Sequence, residues 1–148
     1  MRAGDNNAMI TLVATDIYRG PEPAGADIPW IRQNIKTVID LENDIETAEL
    51  APAVVLYNTI TFLQIYSPWH AISVARLKYL VDLVSNVTKP VLVHCKHGED
   101  RTGLVCAAYR VRVGKWTAGT AMTEALKFGY RKWLNFGLNK TWKEFCTS

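Results

Sequence analysis

Residues 91–103 read VLVHCKHGEDRTG: an unbroken apolar triplet, a cysteine among charged and polar residues, and an arginine six positions later with Gly98 between them. The triplet Val91-Leu92-Val93 has no polar position, as expected of a central strand covered on both faces. From Arg101, RTGLVCAAYRVRV reads as a helix that stops at Gly114. The stretch is therefore buried strand, tight turn and helix, with the helix N-terminus pointing back into the turn. Such a turn is an anion cradle. Successive N–H groups converge, the helix dipole adds partial positive charge, and Gly98 permits backbone angles that a side chain forbids. Arg101 adds a planar fork matched to two phosphate oxygens. Cys95, at the floor of the cradle, sits in a field that also stabilises a thiolate, so it reads as a nucleophile rather than an inert thiol. His94 can orient the turn, and Thr102 can donate its hydroxyl to the sulfur when the sulfur leaves.

Outward from this stretch, the punctuation alternates strand and helix. ITLVATDIYRG (10–20) is a β-rich opening that ends at Gly20-Pro21, followed by a loop of turn formers and a short helix around Trp30 to Asn34. IKTVIDL (35–41) reads as a buried strand and NDIETAEL (43–50) as a helix running to Pro52. TITFLQIYS (59–67) is a further strand. In AISVARLKYLVDLVSNV (71–87), apolar residues recur at helical spacing. After Gly114, Thr117 is a candidate N-cap for AGTAMTEALKF, and RKWLNFGLNKTWKEFC (131–146) reads as a helical tail with an aromatic face. The expected architecture is α/β, a central mainly parallel sheet flanked by helices, in one domain spanning 1–148. The aromatics Trp116, Trp133, Trp142, Phe128, Tyr130, Phe136 and Phe145 are expected to pack the helical half onto the sheet.

Composition bounds the function. In 148 residues, 49% hydrophobic content suffices for a core without disulfides or metals. Three cysteines, at 95, 106 and 146, form no CxxC pair, which points to free thiols in a reducing compartment. No apolar run reaches the roughly 18 residues that span a bilayer, and MRAGDNNAM lacks the apolar core of a signal peptide. A cytoplasmic monomer is the expectation. The net charge of +3 is mild: it favours an anionic substrate without indicating nucleic acid.

The opening stretch resembles the HCxxGxxR[ST] signature of the cysteine-dependent tyrosine and dual-specificity phosphatases, matched by His94, Cys95, Gly98, Arg101 and Thr102. IYRGPEP (17–23), IKTVIDLE (35–42) and KWTAGTAMTEALKFGY (115–130) are similar to the opening, second strand and post-signature helix of compact, bacterial-like atypical members. The resemblance implies a phosphotyrosine-phosphatase-like fold. It also implies a cysteinyl-phosphate formed on Cys95, with the phosphate held by Arg101 and the loop of Lys96, His97, Gly98, Glu99 and Asp100. No metal and no organic cofactor is implied. Substrates would be phosphorylated proteins, with phosphotyrosine leading, or phosphoinositides as the alternative, which Lys96, His97 and the Asp-Arg-Thr ending favour.

One part of the pattern departs from larger members, which carry a leaving-group aspartate some thirty residues before the cysteine. Here LQIYSPWHAIS (63–73) has no carboxylate. Asp100 stands nearest the cysteine and is the first candidate for the acid, with His70 second. Arg19 reads as a structural ion pair or as a hydrogen-bond donor near the loop. Asp16, Asp40 and Asp82 read as structural.

Overall fold

The computed structural model describes residues 10–42, 61–64 and 72–148. Strands β1 (Thr11–Ala14) and β2 (Ile17–Gly20) form an antiparallel hairpin. Asp16 makes the turn possible: its φ of 60° is a left-handed conformation that aspartate tolerates better than most residues. Helix α1 (Ile28–Asn34), with Pro29 in its first turn, leads to β3 (Thr37–Asp40). β4 (Thr61–Gln64), α2 (Val74–Asn86) and β5 (Val91–His94) follow. Three helices complete the chain: α3 (Arg101–Arg112), α4 (Ala118–Lys127) and α5 (Phe136–Cys146). Ser73 caps α2 by accepting from the Arg76 N–H at 3.0 Å, and Thr117 caps α4 by accepting from the Thr120 N–H at 3.2 Å.

The sheet order is β1-β2-β5-β3-β4, parallel throughout except at the β1–β2 edge. The sheet is thus mixed, which corrects the mainly parallel expectation: the opening β-rich run is not one strand but two, folded back at Thr15-Asp16. Alternation along β5 explains its lack of polar positions. Val91 and Val93 join the core formed with α2, α3, α4 and α5, whereas Leu92 faces the smaller core of Ile28, Ile31 and Ile35 under α1. Fully burying each such side chain contributes about 1.5–3 kcal/mol.

Register sets the site. Gly20 and Asp40 both pair with His94, so β2, β5 and β3 end level with one another, and the residues after them converge at the carboxyl edge of the sheet. That edge, where connections leave to opposite faces, is where open α/β sheets hold ligands.

Two further expectations change. The helical tail starts at Phe136, not at Arg131, because 131–135 form a turn closed by Leu134 and Asn135 N–H groups on the Arg131 carbonyl. The aromatic set divides: Tyr130, Trp142 and Phe145 are buried, but Trp133 and Phe136 stand in the open. The helix read in 43–50, and Trp69 and His70, lie outside the described residues.

Candidate active site

Residues 95–100 form the turn between β5 and α3, with Cys95 buried at its floor, 2% exposed. Gly98 adopts φ +72°, and a Cβ there would lie 2.5 Å from the Gly20 carbonyl carbon and 2.6 Å from Pro21 N. Both the backbone angle and the close approach require glycine. The exit of β2 straps the turn from that side. The Glu22 N–H donates to the Lys96 carbonyl at 3.1 Å, and Arg19 Nη2 donates to the Gly98 carbonyl at 2.8 Å. Carbonyl and N–H of one planar trans peptide point opposite ways, so the His97 and Glu99 N–H groups are turned away from these anchors. Arg19 is itself buried, its guanidinium 4.6 Å from the Phe128 ring centroid. Of the two sequence readings of Arg19, the hydrogen bond to the loop is the one observed.

The exit of β3 straps the other flank. The Leu41 N–H donates to the His94 carbonyl at 2.9 Å, and Arg101 Nη1 donates to the Leu41 carbonyl at 3.3 Å. Arg101 opens α3, and the side chain of Asp100 just before it makes no capping hydrogen bond to that helix. That end of the helix carries the dipole's positive charge.

Behind Cys95 lies a buried ionisable cluster. His94 Nδ1 is 3.5 Å from Glu42 Oε2 and 3.8 Å from Asp40 Oδ1, and all three side chains are essentially inaccessible. Asp40 Oδ1 also accepts from the Glu42 N–H at 2.8 Å. The three ligand atoms lie within 4.8 Å of one another and could surround a cation. Without one, the imidazole faces two carboxylates, and their mutual electrostatics offset part of the cost of burying them. Neither His94 ring nitrogen has a hydrogen-bond partner among the described residues, and the same holds for Thr102 Oγ1. The Thr102 hydroxyl, expected on the Cys95 sulfur, is thus buried beside the loop without that bond.

Asp100 is the residue whose surroundings most change its reading. Its carboxylate accepts from the Arg131 N–H and Nε, each at 3.0 Å, from Arg131 Nη2, and from Asn135 Nδ2 at 2.7 Å. Burial alone would raise its pKa. The Arg131 side-chain and backbone hydrogen bonds and the Asn135 amide outweigh that and hold the carboxyl below its ordinary value. The carboxyl that the sequence puts first as the acid is thus engaged by Arg131 and Asn135. Glu99 leans the same way: a Cβ on Gly129, whose φ is +98°, would lie 2.3 Å from Glu99 Oε2. Lys96 and His97 are exposed. Burial pushes the Cys106 thiol up, which fits a packing residue on α3.

Sequence reasoning missed Arg131 and Asn135. Their four-residue spacing is ordinary, and nothing local marks a partner 31 or 35 positions upstream.

Comparison with known proteins gives the family and the fold. Residues 16–115 match the family described as polymorphic toxin system, DSP-PTPase phosphatase, and the chain belongs to that family. It is 30% identical over 134 residues, 87% of its length, to the dual specificity protein phosphatase TpbA of Pseudomonas aeruginosa, and spans 58% of that relative's length. The active form of Tk-PTP superposes with a TM-score of 0.79 at 19% identity, over 94% of this chain and 97% of that one. The catalytic domain of the PP-IP phosphatase SIW14 from S. cerevisiae, in complex with citrate, gives 0.71 at 19%, covering 90% and 83%. The fold is that of the phosphotyrosine phosphatases.

Proposed function

We propose that this chain hydrolyses phosphomonoesters as a dual-specificity-type phosphatase, with protein phosphotyrosine as the leading substrate class. Cys95 Sγ attacks phosphorus as the ester oxygen leaves, giving a cysteinyl-phosphate. Water then cleaves the S–P bond, releasing phosphate and restoring the sulfur. Arg101 holds two equatorial oxygens through its fork, and the loop amides of residues 96 to 101 hold the rest of the developing charge. The observation that carries this reading is Cys95 at the floor of a turn whose Lys96 and Gly98 carbonyls are tied outward to β2. Family membership supports it.

Asp100 acts as a positioning residue, joining the loop to the 131–135 turn. The leaving-group proton then falls to His70, the second candidate from the sequence. His70→Gln should slow hydrolysis of an alkyl phosphate far more than that of p-nitrophenyl phosphate, whose leaving group departs without help. A larger alkyl-selective loss in Asp100→Asn would return the role to Asp100.

A second reading, an inositol-phosphate phosphatase, draws on exposed Lys96 and His97 at the mouth and on the fold shared with SIW14. Relative kcat/KM for phosphotyrosyl peptides and inositol phosphates separates the two. The proposal includes a single-domain monomer in the cytoplasm; the free Cys95, Cys106 and Cys146 bear on the compartment alone. Size-exclusion chromatography with light scattering tests the oligomeric state.

A further inference from the structure

The turn between α4 and α5 and the first residue of α5 carry two large apolar side chains in the open, Trp133 at 73% and Phe136 at 77% exposure. A folded chain gains nothing by leaving ring surface in water, and exposed apolar surface beside a functional loop marks contact with something else. The same turn is fastened to the catalytic loop at both ends: Arg131 and Asn135 both hydrogen bond to Asp100. Trp133 is two residues from Arg131, and Phe136 is next to Asn135. At about 3.8 Å per residue, each Cα lies within about 8 Å of a residue touching the loop. The backbone that carries both rings is therefore fastened to the catalytic loop through Asp100, as a tail free to move would not be.

The surrounding charge is basic. Arg131 and Lys132 lie in the turn, Lys140 follows Phe136 by one helical turn on α5, and Lys96 stands on the loop; Lys132, Lys140 and Lys96 are exposed. Arg131 is itself paired with Asp100, and Glu99, folded over Gly129, lies close to it, so the exposed Lys132 and Lys140 carry the basic character of this surface. Aromatic rings set among cations match an extended peptide with acidic and apolar residues.

We propose that Trp133 and Phe136 form a docking shelf for the residues flanking the phosphorylated side chain of a protein substrate, selecting apolar and acidic neighbours. This rests on the phosphatase reading and names its substrate class. A lipid headgroup is the competing occupant; the turn's attachment to the catalytic loop through Asp100 favours the residues that flank the substrate's own phosphorylated side chain.

The test uses the whole chain and its Trp133→Ala, Phe136→Ala and double variants on three substrates. These are p-nitrophenyl phosphate, an acidic phosphotyrosyl peptide with leucine two residues from the phosphotyrosine, and the same peptide with serine for leucine and asparagine for each acid. The double variant should keep p-nitrophenyl phosphate kcat/KM within twofold. On the acidic peptide it should lose at least tenfold through KM, with kcat unchanged, and its preference over the neutral peptide should vanish. Equal loss on all substrates, or no loss on the peptide, overturns the shelf. Loss confined to binding of phosphatidylserine vesicles overturns it in favour of a membrane surface. If the wild type turns over no p-nitrophenyl phosphate, the phosphatase reading fails alone. Fluorescence anisotropy of the labelled acidic peptide on Cys95→Ser, with and without the two alanines, then decides the shelf: at least tenfold weaker binding supports it and unchanged binding overturns it.

Discussion

On the β2 side, the catalytic loop meets backbone. Gly98 lies against Gly20 and Pro21, closer than any Cβ could, and the anchoring donors are a backbone N–H and the buried Arg19. On the α4–α5 side, it meets side chains: one carboxylate, Asp100, gathers Arg131 and Asn135 from a turn whose outer surface is open to solvent. The first contact tolerates no change of shape, since its partners are peptide planes in fixed strands. The second can vary chemically without breaking the cradle, because the turn it holds lies outside the core. One side fixes the geometry of the phosphate site, and the other couples that site to what lies next to it.

Substitutions should separate the two sides. The largest effect is expected at Gly98→Ala, which combines left-handed strain with a backbone clash. It should cost about 3 kcal/mol or more in urea unfolding and lower p-nitrophenyl phosphate kcat/KM by at least a hundredfold. A neutral result there would break the claim that the β2 side is rigid. Arg19→Ala removes the donor to a buried carbonyl and the cation over Phe128. About 2–4 kcal/mol of stability should go, with activity falling as the loop loosens.

Asp100→Asn should be milder, about 1–3 kcal/mol, with p-nitrophenyl phosphate kcat within about fivefold of wild type. Its pH dependence carries a defined sign. The folded-state pKa lies below the ordinary 3.8, so the carboxylate's contribution is complete above that value and fades as pH falls through the lowered one. The stability gap between wild type and Asp100→Asn should hold constant from neutral pH to about 4 and shrink only below it. A gap that closes near pH 6 would contradict the hydrogen-bonded carboxylate. Smallest of all, Trp133→Ala should change stability by less than about 0.5 kcal/mol, because an exposed ring gives up little on truncation.

The contrast also explains what the sequence made legible. Strand, turn and helix around Cys95 follow from neighbours within thirteen residues, where apolar runs, Gly98 and Arg101 carry local physical meaning. Thr117 as a cap and Leu77, Leu80 and Val84 as core positions of α2 follow equally from local spacing. Asp100 was legible as a loop residue but not as a carboxylate already engaged, since Arg131 and Asn135 reach it only through the tertiary fold. Trp133 and Phe136 share a composition with the buried Trp142 and Phe145, and only the turn at 131–135 sets them on the solvent side. The hairpin at Asp16 went unread because a lone aspartate is a weak turn signal inside a β-rich run.

The central claim is that Cys95 carries the phosphoryl group. Acid-quenched reactions with p-nitrophenyl phosphate in excess chelator, followed by peptide mass spectrometry, address it directly. The account predicts one phosphoryl group on the peptide that contains Cys95 and complete loss of adduct and turnover in Cys95→Ser. Turnover that persists in Cys95→Ser, or a phosphoryl group on any other residue, would contradict it.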